Sequence, residues 1–156
     1  MDYVRRILVV DDEIHYANTL VRHLKREGFH ADLAQDGHGA AAKIEDASSK
    51  TTPFDLIILN ALMNSAKGID LLEWLQQNHP GASVILISDY GHSDEVIERI
   101  RPAMDDFDKK PLTPQRMMEL IDSVDRKRKC AFVHLRKQRN GSKGEFKRLD
   151  STLGKP

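Results

Sequence analysis

The chain has 156 residues, 40% of them apolar and 31% charged, the balance of an ordinary soluble protein with one domain and a sizeable core. No apolar run approaches the roughly 20 residues that span a bilayer, and the four apolar residues after Arg5 and Arg6 are too few for a signal peptide, so the sequence reads as cytoplasmic. Cys130 is the only cysteine, which excludes an internal disulfide and a cysteine-based zinc cage and leaves that thiol inert.

The 24 basic and 24 acidic residues cancel, but they are segregated along the chain. Residues 1–125 hold 13 Lys and Arg against 22 Asp and Glu, a balance of −9, while residues 126–156 hold 11 against 2, a balance of +9. The body is acidic and the tail basic.

Ile7 to Val10 is an apolar run that ends in Asp11-Asp12-Glu13. A helix follows at once, with Ile14, Ala17, Leu20, Val21 and Leu24 on one face, and Gly28 ends it from the left-handed position. Phe29 to Ala34 reads as a short strand, and Asp36 as the N-cap of an Ala-rich helix reaching about Ala47. The polar run from Ser48 to Pro53 is a loop. It leads into Leu56 to Leu59, whose four consecutive apolar residues predict a strand covered on both faces, central in a parallel sheet and ending at Asn60. After a loop to Lys67, Gly68 opens a helix carrying Ile69, Leu72 and Leu75, stopped by Asn78-His79-Pro80-Gly81. Ser83 to Ser88 is a strand finishing at Ser88-Asp89, and Ser93 caps a short helix with Asp94 and Glu95 in its first turn, cut short by Pro102. Asp106 to Lys109 is the last strand, and Thr113-Pro114 starts the last helix as N-cap and N1. A broken helical spacing through Val124, Ala131 or Phe132, and Leu135 extends that helix to about Arg139, where Asn140-Gly141-Ser142 ends it.

Five strands alternating with five helices predict an α/β fold, a doubly wound parallel sheet in which ligands bind beyond the carboxyl ends of the strands. That edge gathers Asp11, Asp12, Asn60, Ser88, Asp89 and Lys110. Clustered carboxylates suit a hard cation such as Mg²⁺, and a hydroxyl and an ammonium opposite them suit phosphoryl oxygens, so the set reads as a phosphoryl-transfer pocket.

From Ile7-Leu8-Val9-Val10-Asp11-Asp12-Glu13, from Asp55-Leu56-Ile57-Ile58-Leu59-Asn60, from Met63 and Gly68 in the following loop, and from Lys110-Pro111, the sequence resembles the receiver domains of bacterial two-component response regulators. The resemblance covers residues 5–126, leaving 127–156 as a basic helix extension and flexible tail. It implies a flavodoxin-like strand order 2-1-3-4-5. It also implies Mg²⁺ on Asp11, Asp12 and the backbone carbonyl of Leu62, a switch hydroxyl at Ser88, a switch aromatic at Phe107, a phosphoryl contact at Lys110 and a cis Lys110-Pro111 peptide. Asn60 stands where that family has its phosphoryl-accepting aspartate, Asp89 where it generally has a small residue, and Asn64-Ser65 where it has Pro-Gly. An amide oxygen bears no full charge and its nitrogen lone pair is delocalised, so Asn60 is no nucleophile, and any Mg²⁺ binding is expected to be weak.

Plainer readings stand beside these. The acidic triplet also fits a helix cap, Ser88 a plain strand end, and Phe107 core as well as switch. His15, His23, His30, His38, His79, His92 and His134 lack ligand spacing and read as surface residues, while Trp74 reads as partly buried core or a partner surface. The leading functional expectation is a stand-alone signalling module that is not an enzyme and binds a protein partner, a histidine kinase or output protein. The alternatives are a nucleic-acid or acidic-partner binder acting through the tail, and a Mg²⁺-dependent phosphohydrolase. Phosphohydrolases with an aspartyl nucleophile generally carry Asp-x-Asp, whereas Asp11 and Asp12 are adjacent.

Overall fold

A computed structural model describes residues 3–61, 68–88 and 94–153, with only the backbone path for 68, 69, 94, 96, 97 and 141–153. Its elements run β1 Arg6–Val10, α1 Ile14–Arg26, β2 His30–Ala34, α2 Gly37–Ser49, β3 Leu56–Asn60, α3 Gly68–Asn78, β4 Ser83–Ser88, α4 Asp94–Ile100, a single 3₁₀ turn at Arg101–Ala103, β5 Asp106–Lys109 and α5 Pro114–Leu153. All strand pairs are parallel and the order is β2-β1-β3-β4-β5. The fold class is as the sequence predicts and the strand order as the resemblance implies.

Alternation along the buried strands builds two cores, because successive residues point to opposite faces. Ile7, Val9, Leu56, Ile58, Ile85 and Ile87 meet α1 and α5 through Ala17, Leu20, Leu24, Met117, Ile121 and Val124. Leu8, Val10, Ile57, Leu59, Val84 and Leu86 meet α2 and α3 through Ala40, Ile44, Leu71, Leu72 and Leu75. Every residue of β3 and β4 is buried. Trp74 is partly buried against the second core, and Ile14, expected on the buried face of α1, is instead 44% exposed.

Local chemistry sets the element ends. Gly28, at φ +96°, closes α1: its N–H donates to the Lys25 carbonyl and the Phe29 N–H to the Leu24 carbonyl, a Schellman pair. The Asp36 carboxylate accepts from Gly39 N–H at 2.6 Å to cap α2, and the Thr113 hydroxyl accepts from Arg116 N–H at 3.0 Å to cap α5. The Ser93 cap lies outside the described residues.

Helix α5 does not stop at Asn140-Gly141-Ser142, as the sequence reading has it, but continues to Leu153. A glycine inside a helix costs only about 1 kcal/mol and Asn or Ser less, too little to break a helix flanked on both sides by Lys, Arg, Gln and Glu. The first turns past the body are tied down at the lower rim of the sheet. One Asp125 carboxylate oxygen accepts the N–H groups of Tyr3 and Val4 at 2.9 and 2.8 Å. The Arg128 guanidinium donates to the carbonyls of Tyr3, Asp55 and Gly81 and to the Ser83 hydroxyl at 2.8–3.1 Å. Asp55 in turn accepts the N–H groups of Arg5 and Arg6, each at 2.9 Å. Removing Arg128 strands several carbonyls at once, so Arg128→Ala should lower the unfolding free energy by about 2 kcal/mol in urea titrations. Lys129→Ala, one residue on and exposed, should leave it unchanged; equal losses would show that the guanidinium contributes nothing special.

Candidate functional site

Beyond the carboxyl ends of the strands, four polar residues on four separate segments meet. Asp11 follows β1 and is 3% exposed, while Asn60 ends β3 and is 2% exposed. Ser88 ends β4 and is fully buried, and Lys110 follows β5 with its side chain 5% exposed.

Asp11 is the hub. Its Oδ1 accepts from Glu13 N–H at 2.9 Å and from the Asn60 amide nitrogen at 3.1 Å, and its Oδ2 lies 2.6 Å from Lys110 Nζ. The Asn60 amide also reaches Asp12 Oδ1 at 3.5 Å. Glu13 Oε1 is 3.4 Å from Lys110 Nζ, and that ammonium sits 4.4 Å from the centroid of the Tyr16 ring. The Lys110 contact to Asp11 is one of opposite charges at close range rather than an aligned hydrogen bond. Glu13 makes no capping hydrogen bond with its side chain, so the triplet turns towards Asn60 and Lys110 instead of merely finishing α1.

Backbone contacts hold Lys110 in register. Its N–H donates to the Ser88 carbonyl at 2.9 Å, the Lys110-Pro111 peptide is cis, and the chain then turns into α5. Beside that turn, the Arg116 guanidinium bonds Asp108 at 2.7 Å and holds the Asp108 carboxyl below its ordinary range. Phe107, level with Leu86 on the neighbouring strand, is partly buried against the second core and packs there as core side chains do. Leu62 and Asp89 lie outside the described residues.

Among the described residues three carboxylates face one ammonium here, and the amide of Asn60 turns its NH₂ towards two of them. A divalent cation would need those oxygens. Both oxygens of Asp11 are already engaged, by two N–H donors and by Lys110, and Asn60 presents nitrogen rather than oxygen to the acids. A Mg²⁺ ion would have to displace Lys110 and the Asn60 amide from those oxygens, and among the described residues no group of three His, Cys, Asp or Glu side chains is placed to hold a metal ion. Nor does the cluster hold a nucleophile at the position of Asn60.

The structure places Asp11, Asp12, Asn60, Ser88 and Lys110 at one edge and adds Tyr16 and Glu13 as partners of Lys110. No spacing marks them, since the contact crosses from α1 to the turn after β5. Among the described residues no helix is long and apolar enough to cross a membrane.

Residues 7–122 match the response regulator receiver domain family. Nitrogen assimilation regulatory protein NtrX of Azorhizobium caulinodans is 28% identical over 116 residues, covering 74% of this chain and 25% of that protein. Chemotaxis protein CheY of Thermotoga maritima is 28% identical over 121 residues, covering 77% of this chain and 97% of that one. The chain thus spans a quarter of the first relative and nearly all of the second. Response regulator TrrA of Thermotoga maritima, solved in complex with Mg²⁺-BeF, aligns with a TM-score of 0.66 at 26% identity, covering 78% of this chain and 99% of that one.

Proposed function

The chain belongs to the response regulator receiver domain family, and from that membership and the amide ending its third strand we propose a signalling module that has exchanged phosphorylation for protein binding. The amide at Asn60, bonded to Asp11 and near Asp12, carries this reading. It occupies the point where the family accepts a phosphoryl group and offers no nucleophile there. It also closes the acidic cluster from within, so the contacts that Mg²⁺ would make are made by Asn60 and Lys110. Mg²⁺ binding is therefore weak, and the pocket is held in one hydrogen-bonded arrangement rather than switched by a phosphodonor.

Asp11, Asp12, Ser88 and Lys110 then serve as scaffold, with Leu62 and Phe107 relieved of metal binding and switching. The output is recognition of a signalling partner, a histidine kinase or an output protein. The polyanion-binding alternative is weakened in that Arg128 is committed to the sheet rim and Lys127 Nζ already donates one hydrogen bond to the Asp105 carbonyl at 2.7 Å. Intact-mass measurement after incubation with acetyl phosphate and Mg²⁺ tests the proposal. The expected result is an unchanged mass; a gain of one phosphoryl group overturns it.

A further inference from the structure

Past Arg128, α5 projects for about 25 residues, roughly 37 Å at 1.5 Å per residue. Every residue from Lys129 to Asn140 is exposed, and of the four large apolar side chains exposed among the described residues, Phe132 (48%), Val133 (40%) and Leu135 (59%) lie here. Phe132 meets the body at Tyr3, ring centroids 5.8 Å apart. A projecting helix of this kind gains little from the body, and helices in water draw most of their stability from packing an apolar face.

The spacing says what packs on it. From Phe132 the sequence repeats at intervals of three and four: Phe132, Leu135, Arg139, Ser142, Phe146, Leu149, Leu153. Five of these seven positions are apolar, the heptad signature of a two-helix seam, and the helix is continuous through all of them.

The matching seam fits a second copy, and charge sets its direction. Residues 126–139 hold seven Lys and Arg and no acid, a balance of +7, whereas residues 140–153 hold three Lys and Arg with both acids of the tail, Glu145 and Asp150, a balance of +1. A parallel pair would align the two strongly basic segments and set Arg139 against itself. An antiparallel pair sets each basic segment beside the acids of the other copy and keeps the two acidic bodies at opposite ends.

We propose that the projecting half of α5 pairs antiparallel with the same segment of a second copy. One register matches the whole repeat. Phe132 lies level with Leu149 of the second copy, Leu135 with Phe146, Arg139 with Ser142, and Asp150 falls beside Lys129. Leu153 then reaches Arg128 of the second copy, the point at which α5 leaves the body. The overlap therefore uses the whole projecting length. Arg139 and Ser142 form two adjacent polar layers related by the twofold axis at the centre of the seam, which fix this register at some cost in affinity.

Sedimentation of the full chain over a concentration series should show a monomer–dimer equilibrium. Leu135→Glu should weaken self-association at least about tenfold, with the far-UV circular dichroism of the body retained, since Leu135 is exposed in the single chain. For orientation, Phe132→Cys and Leu149→Cys are made separately in a Cys130→Ser background and mixed under oxidising conditions. Cross-linking between the two variants supports the proposal. A chain monomeric at all concentrations overturns it, whether or not DNA or an acidic protein binds the helix. So does an undiminished dimer in Leu135→Glu, or cross-linking of Phe132→Cys only with itself.

Discussion

Asn60→Asp should convert a chain that takes no phosphoryl group from acetyl phosphate into one that takes one, with an initial rate at least about a hundredfold above the parent, the scale expected when a missing nucleophile is supplied. The substitution changes one NH₂ to an oxygen in a residue that is 2% exposed, so the pocket keeps its shape. What changes is its charge. The amide hydrogen bonds to Asp11 and Asp12 are lost, and a further carboxylate joins acids balanced by one ammonium. Without a divalent cation the variant should be less stable than the parent, and Mg²⁺ should restore the loss by binding the folded state alone. Calorimetric titration should accordingly give tighter Mg²⁺ binding than in the parent. If the variant is not labelled, the remaining residues are not the phosphoryl-binding set that the family resemblance makes them. Asp89 adds a second layer: if its charge faces the entrance, Asn60→Asp with Asp89→Ala should label up to about tenfold faster than Asn60→Asp alone, since like charges about 4 Å apart in water cost about 1 kcal/mol.

Lys110→Met should be the most destabilising single substitution at this edge. The side chain is 5% exposed, and its ammonium sits on an aspartate that is 4% exposed in its own side chain. Methionine keeps the length of the stem and removes the charge, so the expected loss is that of an uncompensated buried carboxylate, about 3 kcal/mol. The ring of Tyr16 loses its cation at the same time, and Glu13 is released towards solvent. Urea unfolding of the parent, Lys110→Met, Asp11→Asn and the double variant would measure the coupling. A double variant close in stability to either single one indicates one coupled unit, whereas additive losses would mean that the 2.6 Å contact contributes little.

The architecture was legible in the residues because it rests on local rules. Apolar runs of four residues made β1, β3 and β4, and those in β3 and β4 are apolar on both faces because helices cover both sides of the sheet. Asp36, Thr113 and Gly28 end or begin helices through bonds made within a few residues, so composition alone located them. Strand ends also converge by topology, which is why the sequence alone gathers Asp11, Asp12, Asn60, Ser88 and Lys110 at one edge. The identity of Asn60, and with it the absence of a nucleophile, is a property of the sequence.

What the tertiary structure decided is how those groups are paired, since pairing depends on distances between segments far apart in the chain. Only there does Asn60 turn its amide to Asp11 and Asp12, 49 and 48 residues away, and so occupy the acids that Mg²⁺ would need. Arg128 is the clearest case. In sequence it is one cation in a run of four, indistinguishable from Arg126, Lys127 and Lys129. In the fold it lies over the lower rim of the sheet, where the carbonyls of Tyr3, Asp55 and Gly81 converge and a single planar guanidinium can meet all three. Helix periodicity sets which way a side chain leaves its helix, but what it finds there is set by strands that arrive from 45 to 125 residues earlier.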